Sequence, residues 1–195
     1  MSNSEVYRPR SSYFFAGAIY ILCAGIVGQS FFSEGPRGVA ITIAWSLVVS
    51  YIFHLGFIRP KVTFFDEGIR ITNPLREITI GWDQVEDISA RYSMYIQVGG
   101  KKIYAWAAQA PGRYHARTIH PSEIRGLKIP DAYNMRPGES PRTHSGQALA
   151  LARIRFDAFR SSADRGACAY SSHLNRNGLA TLITLFVIAF ALSIF

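Results

Sequence analysis

The sequence predicts integral membrane α-helical anchors joined to a small cytoplasmic β-rich domain, an antiparallel sheet with a C-terminal helix. Three observations predict it. Charge is missing from three long stretches, apolar and polar residues alternate between 62 and 106, and a helical pattern follows a Pro-rich segment. Of the 195 residues 17% are charged, against about 25% in soluble proteins. The deficit lies in Ser11–Ser33, Gly38–Ile58 and Asn177–Phe195, which contain no Asp, Glu, Lys or Arg. Outside them the charge density is that of an ordinary soluble domain. This unevenness, with only two cysteines, excludes a disordered chain, a disulfide scaffold and a freely soluble globule.

About 20 apolar residues in a helix cross the hydrocarbon core of a bilayer. Tyr13–Gly28, extended through Phe31 and Phe32, Val39–Ile58 and Leu179–Phe195 each supply such a run, and in lipid the backbone must bond to itself, so each is expected to be helical. Gly35-Pro36 marks a turn between the first two. Residues 11–58 therefore read as a transmembrane hairpin and 177–195 as a third span. No A-x-A-like cleavage site follows Val27, and a second span begins soon after, so a cleaved leader is not expected. Arg8, Arg10, Arg59, Lys61 and Arg176 flank one set of helix ends, whereas Arg37 in the hairpin turn is balanced by Glu34. The positive-inside rule then places the tail, residues 1–10, and the central domain on the cytoplasmic side of the inner (plasma) membrane. Cys23 falls in a span and Cys168 outside one, so two free thiols are expected.

The central segment opens with strand signals. Val62–Phe65 and Ile69–Thr72 flank Asp66-Glu67-Gly68, with the turn expected at Glu67-Gly68. Glu77–Ile80, Val85–Ala90, Met94–Val98 and Lys102–Trp106 continue the alternation, and Gly99-Gly100 makes the last two the clearest hairpin. Six short strands at this spacing predict a small antiparallel sheet or half-barrel over 59–110. Residues 111–142 read as a basic loop rich in Pro, Gly and His, with a short helical turn near Pro121–Arg125. A helix is expected over 143–165, capped by Thr143 or Ser145, followed by a linker, 166–176.

The order of these parts resembles the bacterial PH-like domain of small actinobacterial membrane proteins. There two transmembrane helices precede a strand, a DE-G turn, a second strand and a W-x-x-I/V pattern. Asp66-Glu67-Gly68 and Trp82-Asp83-Gln84-Val85 carry the match over Val62–Arg113. The resemblance implies a curved antiparallel sheet closed at one end by the C-terminal helix, and a surface that receives a peptide or protein. Specific inositide binding is not expected, because the first hairpin turn is acidic where a phosphate would need Lys and Arg.

The net charge of +8 sits mainly behind the sheet, since residues 111–176 hold eleven basic and five acidic residues. Arg113, Arg117, Arg153, Arg155 and Arg160 are the candidate lipid or partner contacts. The final helix either packs on the sheet or rests, basic face down, on the inner leaflet. No nucleic-acid motif accompanies the charge. No phosphate loop, nucleophile elbow or zinc-helix motif occurs, and His115 and His120 are not spaced as helical metal ligands. No catalytic residue, cofactor or metal is expected. Two functions remain: a non-enzymatic adaptor or accessory subunit of a membrane protein complex, or an anionic-lipid-sensing module acting through residues 111–165.

Overall fold

In the computed structural model, residues 4–109, 137–139, 143–162, 166 and 168–195 are described. They form two compact units, one built on sheets and one helical, the latter also taking in Asn73–Glu77.

The sheet unit begins earlier in the chain than the sequence pattern indicates. Strand β1 (Glu5–Tyr7) pairs antiparallel with β2 (Lys61–Phe65), which pairs with β3 (Gly68–Thr72). With β4 (Arg76–Gly81) and β8 (Ser171–Leu174) they make a five-stranded sheet in the order β1-β2-β3-β4-β8. A second sheet contains β5 (Asp87–Ala90), β6 (Ser93–Val98) and β7 (Lys101–Gln109), each antiparallel to its neighbour. The six expected strands are all present. The tail 1–10 and the linker 166–176 are corrected, because each contributes an edge strand. Three- and four-residue strands are too short to show an alternation, and their partners lie far along the chain.

The β2–β3 turn is corrected by one residue. Phe65 faces Gly68 across the ladder, so Asp66-Glu67 form the turn and Gly68 already belongs to β3. Gly68 is required by crowding rather than by turn geometry: a Cβ there would collide with the Ile80 carbonyl oxygen. In the β6–β7 hairpin Val98 faces Lys101, and Gly99 and Gly100 both have positive φ, 54° and 72°. That is the backbone a two-residue I′ turn demands.

The inward residues of both sheets form one core, including Val62, Phe64, Ile69, Ile71, Ile80, Met94 and Ile96. Trp82, 1% exposed, sits in a short 3₁₀ turn (Trp82–Gln84) and donates its indole N–H to the Phe65 carbonyl at 3.0 Å. Helix α3 (His144–Ser161) closes the core with Ala148, Leu149, Ala152 and Phe159. Alanines at two of these positions let the helix backbone approach the sheets closely. Of the two expected caps, Thr143 is the one used, its hydroxyl oxygen accepting from the Gly146 N–H at 2.9 Å. Ser145 instead donates to the Gly138 carbonyl at 2.6 Å. The helix stops at Ser161, short of the expected Arg165; residues 163–165 lie outside the described set, as do the expected turn at Pro121–Arg125, His115 and His120.

The helical unit contains α1 (Arg10–Ser33), α2 (Pro36–Phe53, continued by a π-helical turn, His54–Ile58) and α4 (Arg176–Ile194). All three, the second counted through Ile58, are long and apolar enough to cross a membrane, with mean hydropathy 1.7, 1.8 and 2.1. Their sequences dictate the packing. Ala16, Cys23 and Ser30 recur every seventh residue along α1 and are its buried positions. On α2, Ala44 and Val48 pack with Ala189 of α4. Trp45 crosses that seam, its indole N–H donating to Ser193 Oγ at 3.1 Å and its ring meeting Phe186 edge-on at 5.4 Å. Gly35 precedes α2 with Pro36 at its first position, where the missing N–H costs no helical bond. Arg59, just past the π-helical turn, donates to the carbonyl oxygens of Asn73 and Pro74. His54 stacks on Tyr51 with an interplanar angle of 9°.

Candidate functional site

Two surfaces of the sheet unit collect chemistry. The first is α3. Arg153 and Arg155, two positions apart, project about 200° apart around a helix, so they do not form one basic stripe. Arg153 donates to Glu139 Oε1 and to the Ile88 carbonyl, each at 3.4 Å. Arg155, with a side chain 20% exposed, donates to Asp66 Oδ1 at 3.1 Å and Glu5 Oε2 at 3.5 Å. Arg160 lies over the Phe156 ring at 5.7 Å. Arg113 and Arg117 lie outside the described residues. Among the described candidates, Arg153 and Arg160, seven positions apart, fall on one exposed face of the helix, and Arg155 does not join them. The structure turns Arg155 inward, to join the tail strand and the first hairpin turn.

Beside Arg155 a cleft of about 460 Å³ opens, lined also by Asp66, Glu67, Phe159, Ser162 and Gly166. Two carboxylates against one guanidinium make it unsuited to an anion. Near the other end of α3, the Tyr7 hydroxyl lies 3.1 Å from His144 Nδ1. Burial pushes the Tyr7 phenol up to about 12, because the phenolate is disfavoured away from water.

The second surface is the outer face of β6–β7. Along β7, Ile103, Ala105 and Ala107 turn toward the core, which puts the alternate residues Lys102, Tyr104 and Trp106 on the opposite side. Tyr104 and Trp106 are 53% and 52% exposed. Tyr95 of β6, directly opposite Tyr104, has its ring 5.6 Å away, and the Lys102 ammonium sits 4.8 Å above the Tyr95 ring. At the β5–β6 connection the Arg91 guanidinium lies 5.4 Å from the ring of Tyr92, itself 63% exposed. Reading KIYAW as a strand identified the element without its polarity. The signal was there: an apolar residue at every second position leaves Lys, Tyr and Trp facing out.

Among the described residues no group of three or more His, Cys, Asp or Glu side chains is placed to hold a metal ion. Cys23 is buried in α1, Cys168 is half-buried, and both are free thiols. No known family model matches the chain, and no curated protein or solved structure matches it either.

Proposed function

We propose that this chain is a non-enzymatic, membrane-anchored adaptor or accessory subunit of a membrane protein complex. Its sheet domain is PH-like and faces the cytoplasm at the inner (plasma) membrane. The anchoring part is supported by side chains such as Phe14, Ile21, Leu47, Ile52, Val187 and Phe190, which point outward from the three apolar helices. Lipid is the solvent in which such surfaces are stable. The PH-like part is supported by two antiparallel sheets with a helix closing their shared core.

The observation that carries the adaptor reading is the outer face of β7. Exposed Tyr104 and Trp106, with Arg91 and Tyr92 at the nearby β5–β6 connection, are residue types enriched in protein-interface hot spots. The anionic-lipid alternative draws less support, since Arg153 and Arg155 are directed at Glu139, Asp66 and Glu5. A photo-crosslinking residue at position 106 of the full chain, activated in native membranes, tests the two together. The adaptor reading expects a crosslink to one protein of defined mass, absent when the probe is moved to Ile154. Crosslinks to lipid alone would reject it.

A further inference from the structure

The tail strand occupies an edge that could hold a longer guest. β2 offers five residues, Lys61–Phe65, and β1 pairs with only Val62, Thr63 and Phe64. Two of its three residues are exposed, Val6 by 54%. Two side-chain contacts hold it. Glu5 meets Arg155, and Tyr7 meets His144, so alternate residues of the strand reach the two ends of α3. The register also sets what lies beyond. Glu5 faces Phe64, so a segment extended on the amino side of the Glu5 position runs past Phe65 and Asp66. There it meets the cleft lined by Asp66, Glu67, Arg155 and Phe159, whose acidic and apolar walls suit a basic or aromatic side chain.

We propose that the β2 edge is a peptide-acceptor site, filled in cis by Glu5–Tyr7 and taken over by an extended segment of a partner protein. That segment carries a carboxylate two residues before a tyrosine, with a basic or aromatic residue ahead of the carboxylate. The cis strand displays the recognition chemistry: backbone pairing supplies affinity, Arg155 selects the carboxylate and His144 the phenol. A partner segment also pairs with Lys61 and Phe65, which β1 does not reach. A second copy of this chain is the poorer occupant. Only Arg8 and Pro9 separate β1 from α1, and only Arg59 and Pro60 separate β2 from the helical turn before it, so the strand and β2 are both held by two-residue links to the helical unit. The short link likewise gives the cis strand a high effective concentration and keeps the site closed to weak guests. This inference goes beyond the adaptor reading and does not depend on the β7 face.

The test uses the full chain in nanodiscs and fluorescein-labelled peptides. With residues 2–7 deleted, the peptide SEVYR binds saturably, and a Lys-Phe extension at its amino end tightens binding at least tenfold. Reversing the peptide's glutamate to arginine weakens binding at least tenfold, and Arg155→Glu in the protein restores it. The variant Glu5→Arg, which keeps the full length of the chain, binds SEVYR at least tenfold more tightly than the unaltered chain. Equal affinity for SEVYR and its charge-reversed form would overturn the proposal. So would an unchanged affinity in Glu5→Arg, or efficient crosslinking of position 6 to position 63 between differently tagged copies.

Discussion

Replacing Leu149 by alanine distinguishes a helix packed on the sheets from a helix lying on the leaflet. Leu149 is 2% exposed and belongs to the same core as Ile88, Met94 and Ile96. Removing its outer carbons loses about 0.8 kcal/mol of transfer energy per methylene. The surrounding strands cannot collapse fully into the space, so a cavity cost adds to this and brings the total to about 2–5 kcal/mol. For a domain of this size each kcal/mol lowers the melting temperature by about 4–8 °C, so a fall of at least about 8 °C is expected. Trp82 in the core reports the transition through its fluorescence, and Trp106 gives a second signal from the surface. The control is Ile154→Ala on the same helix, where the side chain is 64% exposed and the change should stay within about 0.5 kcal/mol. If Leu149→Ala melts no lower than Ile154→Ala, α3 is not part of the domain core and the packing argument fails.

Gly68→Ala should destabilise the domain by about 1–3 kcal/mol, because the new methyl group meets the Ile80 carbonyl; thermal melts that match the unaltered chain would contradict this. Thr143→Ala removes the cap of α3 and should cost about 0.5–2 kcal/mol, measurable by the same melts. The phenol of Tyr7 is raised to about 12 in the folded chain from 10.0. A group whose folded value is raised stabilises fully below the unfolded value and loses that contribution as pH rises through the folded one. Melting temperature should therefore fall more steeply between pH 10 and 12 in the unaltered chain than in Tyr7→Phe, and parallel curves would refute it. Trp106→Ala should cost about 1–3 kcal/mol, since about half of the ring is buried, yet leave a cooperative melt while abolishing the adaptor crosslink, here read from a probe at position 104.

What could be read from the residues followed from local rules. Alternation between 62 and 106 located six strands, since the pleat puts every second side chain on the core. Gly99-Gly100 specified a turn because both residues need positive φ. Thr143 was a cap by its chemistry and position. The strands β1 and β8 were not legible, because pairing between residue 5 and residue 64 is decided by tertiary contact. Arg155 shows the same limit at the candidate site. Its partners lie 150 and 89 residues away, and no spacing rule separates an arginine with such partners from one that faces a bilayer. The β7 face was different: Lys102, Tyr104 and Trp106 already stood at alternate positions, and only the inward direction of Ile103 and Ala105 had to be drawn.

The side of the membrane on which the sheet domain lies is tested most directly by thiol labelling. Cells carrying the full chain with Cys23→Ala and Ser33→Cys hold one thiol beside the hairpin turn and one, Cys168, in the sheet domain. With a membrane-impermeant maleimide, intact cells should be labelled at position 33 alone, and Cys168 only after the membrane is opened. Labelling of Cys168 in intact cells would place the domain outside and contradict the account.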